Sequence, residues 1–123
     1  MSGPTVLLIE DEPELRELAR QTLDSLGYQV IAPEHTEDGL AIAISRKVDL
    51  LLTDVVMPVM SGPTIVRRLA DLGTHPPVIY MTGYADDTLS EYRIDPGSVL
   101  LRKPFSPSQL ARVVRSALDL VKA

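Results

Sequence analysis

Glu10, Asp11, Asp54, Thr82 and Lys103 are the residues of this sequence whose types could do chemistry together. Three are carboxylates, one is a hydroxyl and one is an ammonium. Facing carboxylates repel, and a divalent cation relieves the repulsion. Mg2+ takes oxygen ligands in octahedral geometry and keeps several waters, so one or two carboxylates and a phosphate oxygen suffice. Asp11 and Asp54 are the candidate direct ligands. Glu10 could act directly or through water, and a backbone carbonyl near Val56 could complete the set. Thr82 and Lys103 suit the oxygens of an incoming anion instead. The five groups, if brought together, complement a phosphoryl group held by Mg2+. A carboxylate can attack phosphorus to give an aspartyl phosphate, and Asp54 is the most central candidate.

Each of these residues has a plainer reading when taken alone. An Asp after a strand commonly serves a turn or caps a helix. Glu10-Asp11-Glu12 could simply favour a helix N-terminus through its dipole. Thr82 before Gly83 could be an ordinary strand end, and Lys103-Pro104 a solvated turn. The chemical reading therefore depends on the elements that position all five groups.

Those elements follow from the spacing of apolar residues. Thr5 to Ile9 reads as a first buried strand, Tyr28 to Ala32 as a second, and the run ending at Asp54 as a third. Pro77 to Thr82 and Ser98 to Arg102 supply a fourth and fifth. Continuous apolar runs of this length indicate strands covered on both faces. Between them lie helical patterns. Pro13 opens one whose stripe is Leu15, Leu18, Ala19, Leu23 and Leu26, with Gly27 as its stop. A second runs from about Thr36 to Ser45, and a third from Pro63 to Gly73. A fourth, over 86–92, is weakest, because Leu89 and Tyr92 alone give it apolar spacing. Ser106-Pro107-Ser108-Gln109 has the capping-box form and opens the fifth.

Five strands alternating with five helices imply an α/β fold: a doubly wound five-stranded parallel sheet, flavodoxin-like, of order 2-1-3-4-5. That order sets the first and third strands side by side. Glu10-Asp11 and Asp54 then meet at one sheet edge, where such folds bind ligands.

The 123 residues are expected to form one domain over 1–123. A net charge of −5 with no basic patch argues against nucleic acid as a partner. The absence of cysteine excludes thiolate catalysis and Cys-based metal sites. No apolar stretch reaches the length of a membrane span and Met1-Ser2-Gly3-Pro4 does not resemble a signal peptide, so no membrane association and a cytoplasmic location are expected. His35 and His75 fall in apparent loops and read as ordinary loop residues. Met57, Met60 and Tyr80 read as packing residues.

With these residues in place, the chain resembles a receiver domain, the phosphoacceptor module of two-component response regulators. The motifs are Glu10-Asp11-Glu12-Pro13, Asp54 with Val55-Val56-Met57-Pro58 and Ser61-Gly62, Thr82-Gly83, and Lys103-Pro104-Phe105. The resemblance spans essentially the whole chain. It implies that Asp54 accepts a phosphoryl group from a phosphohistidine on a histidine kinase or histidine phosphotransfer protein. It implies Mg2+ held by Asp11, Asp54 and the Val56 carbonyl, with Glu10 in an outer role. Lys103 would contact phosphoryl oxygens, with a cis bond to Pro104. Thr82 would move toward the phosphoryl group and alter a partner-binding face. The domain would switch partners and not turn over substrate, apart from intrinsic loss of its own phosphoryl group. Val56 and Tyr84 would flank the site and slow that loss.

Two positions depart from the family pattern. Leu100 stands where an aromatic switch residue is usual, three before Lys103, and Val59 follows Pro58 where Gly is common. Three stretches, Leu51 to Pro58, Met81 to Asp87 and Leu101 to Phe105, look most like the receivers of hybrid sensor histidine kinases. A free-standing regulator is the competing origin. Oligomeric state is not indicated. A phosphatase of the haloacid dehalogenase type shares Asp, Thr, Lys and Mg2+, but would need an acid two residues after its nucleophile, where Val56 stands. A nucleotide- or flavin-binding module would need a Gly-rich loop where Glu10-Asp11-Glu12-Pro13 lies. A receiver that had lost its chemistry would not be expected to keep all five groups.

Overall fold

The computed structural model describes residues 3–84, 89–95 and 97–122. Five strands form one sheet: β1 (Thr5–Ile9), β2 (Gln29–Ile31), β3 (Leu50–Asp54), β4 (Val78–Thr82) and β5 (Val99–Arg102). Every pairing is parallel and the order is β2-β1-β3-β4-β5, as the apolar runs imply. The α-helices are α1 (Pro13–Ser25), α2 (Asp38–Ser45), α3 (Gly62–Asp71) and α4 (Pro107–Lys122).

Four α-helices among the described residues replace the five expected. Of the segment 86–92, residues 86–88 lie outside the described residues, and Ser90–Tyr92 forms a single 3-10 turn. Arg93 follows in the left-handed region, at φ 55°, which ends any helical path. The apolar spacing of the described part is sparse: Leu89 is buried, but Ser90 and Glu91 are exposed.

The strands alternate their side chains between two cores. Val6, Leu8, Leu50, Leu52, Ile79, Met81 and Leu101 pack beneath α1 and α4, against Leu23, Leu110 and Val114. Leu7, Ile9 and Leu51 face the other way, onto Ala43 of α2 and Ile65 and Leu69 of α3. The central strands thus have no polar face, which is why they read as continuous apolar runs.

The helix ends are set by local chemistry. Gly27 takes φ 92°, and the Gly27 and Tyr28 amides donate to the Asp24 and Leu23 carbonyls, closing α1 with the two bonds of a Schellman motif. At the start of α4 the capping box forms in both directions. The Gln109 amide donates to Ser106 Oγ at 3.1 Å, and the Ser106 amide donates to Gln109 Oε1 at 2.7 Å. No described helix is long and apolar enough to cross a membrane.

Candidate functional site

β3 ends on Asp54, and its backbone is fixed by both neighbouring strands. Thr53 registers with Ile9 of β1, and Asp54 with Met81 of β4. The loop beyond is tied back at once. The Val55 amide donates to the Met81 carbonyl at 3.0 Å, and the Gly62 amide donates to the Val55 carbonyl at 3.0 Å. Thr53 is fully buried, and its hydroxyl donates to the Asp54 carbonyl at 3.1 Å. Ser61 caps α3 by accepting from the Thr64 amide. A side chain at Gly62 would run into the Asp54 carbonyl oxygen, so the first turn of α3 can lie against β3 only with glycine there.

β1 delivers Glu10, which is fully buried, and Asp11, which is exposed. Glu10 Oε2 accepts from the Glu12 amide at 3.1 Å. Arg16 of α1 donates to the carbonyls of Glu10 at 3.2 Å and Glu34 at 3.1 Å, so it straps the loops after β1 and β2 together. Lys103, just past β5, reaches across the edge of the sheet. Its Nζ lies 2.7 Å from Glu10 Oε1 and 2.8 Å from Asp54 Oδ1. The Lys103-Pro104 bond is cis. Thr82, at the end of β4, is buried, and its Oγ1 accepts from the Tyr84 amide at 3.0 Å.

Carboxylate oxygens of Glu10, Asp11 and Asp54 all lie within 4.8 Å of one another. Asp54 is 2% exposed, and its Oδ2 has neither a hydrogen bond nor an ion pair among the described residues. Burial first, and the adjoining Glu10 carboxylate second, push the Asp54 carboxyl up to about 9, against the opposing pull of Lys103. Burial pulls the Lys103 ammonium down, but Asp54 and Glu10 outweigh it and its pKa rises. Three carboxyl groups crowd one ammonium, and one buried Asp54 oxygen has no partner among the described residues. This all-oxygen donor set fits a hard divalent cation such as Mg2+.

A cavity of about 20 Å³ lies beside these groups, lined by Asp54, Val56, Met81, Thr82, Gly83, Tyr84 and Lys103. Its scale matches about one water-sized group. Sequence reasoning named Asp54, Val56, Thr82, Tyr84 and Lys103 on this wall, and Glu10 and Asp11 beside it. It missed Thr53, Arg16 and Arg102. The Arg102 Nη1 donates to the Tyr84 carbonyl at 2.7 Å. These three act on backbone carbonyls one to 18 positions away, and no residue pattern announces such contacts. Met57 and Tyr80 are buried and Met60 is half-buried in the core, as expected, while His35 and His75 are exposed.

Residues 6–115 match the family of the response regulator receiver domain. Among curated relatives, the chain is 39% identical over 120 residues to the sensor kinase CckA of Brucella abortus, and 34% identical over 121 residues to the sensor histidine kinase TmoS of Ectopseudomonas mendocina. These alignments cover 94% and 95% of the chain, but 12% of the length of each relative. Among solved structures, it is similar to the receiver domain of a sensor histidine kinase from Pseudomonas aeruginosa PAO1, with a TM-score of 0.83 and 25% identity over 96% of this chain and 99% of that one. That structure holds a magnesium ion coordinated in its active-site cleft.

Proposed function

The chain belongs to the response regulator receiver family, the phosphoacceptor signalling domains of two-component systems, and from that premise we propose that Asp54 is the phosphoacceptor. The observation that carries this reading is the buried Asp54 carboxylate, whose Oδ2 has no partner among the described residues, lining a small cavity with Thr82 and Lys103. An Asp54 oxygen attacks the phosphorus of a phosphohistidine. The new P–O bond forms as the P–N bond breaks, and the electron pair leaves with the imidazole, which takes up a proton. Lys103 places its ammonium on the phosphoryl oxygens, and the Thr82 hydroxyl donates to one of them. Asp11, Asp54 and the Val56 carbonyl would hold Mg2+, with Glu10 outside them. When bound, the cation offsets the charge of the phosphoryl oxygens.

The donor is a histidine kinase or a histidine phosphotransfer protein, and the domain, taken as residues 1–123, works in the cytoplasm without contacting nucleic acid. The similarity to receiver segments of sensor kinases favours a hybrid-kinase origin. Val56 and Tyr84, on the cavity wall, shield the acyl phosphate from water and set its lifetime. A small acyl-phosphate donor with Mg2+ should yield a single phosphoryl adduct by intact-mass spectrometry. The adduct should vanish in Asp54→Asn and fall strongly in Lys103→Ala. No adduct on the unaltered chain, or an undiminished one on Asp54→Asn, would overturn the reading.

A further inference from the structure

We propose that Arg102 is a positioning residue that couples the rotamer of Thr82 to the protein surface through the main chain of Tyr84. The inference rests on the phosphoacceptor reading above.

Thr82 and Arg102 are register partners across β4 and β5, and the next amide, Lys103, donates to the Thr82 carbonyl at 2.8 Å. Two side chains hold the Tyr84 backbone from opposite ends of this pair. Thr82 Oγ1 accepts from its amide at 3.0 Å, and Arg102 Nη1 donates to its carbonyl at 2.7 Å. Thr82 is buried at the cavity wall, whereas Arg102 and Tyr84 are exposed. The three residues therefore form a short polar path from the cavity to solvent.

The other side chains of β5 are apolar. Leu100 has no donor or acceptor on its side chain and packs, half-buried, with the cluster of Val55, Tyr80 and Leu89. Val99 is apolar and exposed, and Leu101 is buried in the opposite core.

Thr side chains occupy discrete rotamers about 120° apart. The hydroxyl now faces the Tyr84 amide and makes no bond to either Asp54 oxygen. Turning it to a phosphoryl oxygen on Asp54 takes Oγ1 away from that amide. The freed Tyr84 backbone then moves with Thr82 toward the cavity, and its carbonyl leaves the guanidinium. The Arg102–Tyr84 bond thus belongs to the arrangement in which Thr82 faces Tyr84. A contact made in one state alone biases the equilibrium toward it. Arg102 holds the Tyr84 carbonyl back, and loss of that bond changes the surface around Tyr84.

The test is a beryllofluoride titration with Mg2+, followed by the amide signals of Asp54 and Val55 in the unaltered chain, Arg102→Ala and Arg102→Lys. Deleting a bond specific to the unoccupied arrangement should tighten beryllofluoride binding by about threefold or more in Arg102→Ala. Arg102→Lys, which keeps one donor, should return the affinity toward that of the unaltered chain. A simple loss of packing would weaken binding or leave it unchanged, and either result in Arg102→Ala would overturn the inference. Failure of the unaltered chain to bind beryllofluoride would overturn the phosphoacceptor reading instead.

Discussion

The two halves of the sheet's C-terminal edge are built differently. On the β1–β3 side, buried Glu10 is held by the Glu12 amide and by Lys103, and Asp54 is fixed by register on both flanks. Its following loop is closed by the Gly62 amide, the Thr53 hydroxyl and the Ser61 cap. On the β4–β5 side, the described bonds to the Tyr84 backbone come from the side chains of Thr82 and Arg102, and β5 is an edge strand with Val99 and Arg102 exposed. Nucleophilic chemistry needs reacting groups held to within a fraction of an ångström, which favours rigid elements. A signal needs a segment of low local stability that can move. The division of labour follows from where the backbone bonds lie.

Core truncation gives the largest contrast between the two halves. Leu52→Ala, in a strand with no exposed face, should cost about 2–5 kcal/mol in urea unfolding. Leu100→Ala, half-buried on the edge strand, should cost about 1 kcal/mol, since only part of the side chain leaves water on folding. Equal costs would break the comparison.

Gly62→Ala should cost about 1–3 kcal/mol, because the added methyl forces α3 away from the Asp54 carbonyl. Phosphoryl uptake should fall with it, which an adduct assay on the same variant would read. A neutral Gly62→Ala would mean that the β3 side is more pliable than its bonds suggest.

Asp54→Asn should act in the opposite direction on stability. Asn needs no proton uptake on folding, so the substitution should stabilise the metal-free domain by about 1–2 kcal/mol at neutral pH while abolishing phosphorylation. The pH dependence carries a definite sign. The Asp54 carboxyl lies near 9 when folded, against an ordinary value of 3.8, so the unfolded chain releases its proton first. This group's contribution to stability is therefore fully present below the ordinary value and is lost as pH rises toward the folded one. Urea unfolding across that range should show a steeper decline for the unaltered chain than for Asp54→Asn. Parallel curves would remove Asp54 as the cause.

The smallest effects should lie at the cavity rim. Val56→Asn and Tyr84→Ala should each speed loss of the phosphoryl group by about two- to tenfold, roughly 0.4–1.4 kcal/mol in barrier, by admitting water. Unchanged rates in both, followed by mass spectrometry, would leave the acyl phosphate's lifetime to the β1–β3 side.

Much of this was legible from residue order. Leu50-Leu51-Leu52 announces a doubly covered strand, Gly27 a helix stop, and Ser106 to Gln109 a capping box, and each appears where expected. The segment 86–92 was the least legible, because two apolar residues cannot distinguish a helix from a turn. Within its described part, Ser90–Tyr92 is a 3-10 turn. The straps from Arg16 and Arg102 were not legible at all. Both end on backbone carbonyls, which every residue carries, so no pairing of side-chain types marks them.

The sequence by itself determined the strands, their parallel order and the delivery of Glu10, Asp11, Asp54, Thr82 and Lys103 to one edge. Hydrophobic periodicity is a local property, and right-handed crossovers leave few ways to assemble such strands. Tertiary structure alone decided that Lys103 sits between Glu10 and Asp54, that one Asp54 oxygen has no partner among the described residues, and that Arg102 bonds the Tyr84 carbonyl beside Thr82. Those outcomes depend on register and on ångström-scale distances between residues far apart in the chain. The packing of the two cores sets such distances, and no local pattern encodes them.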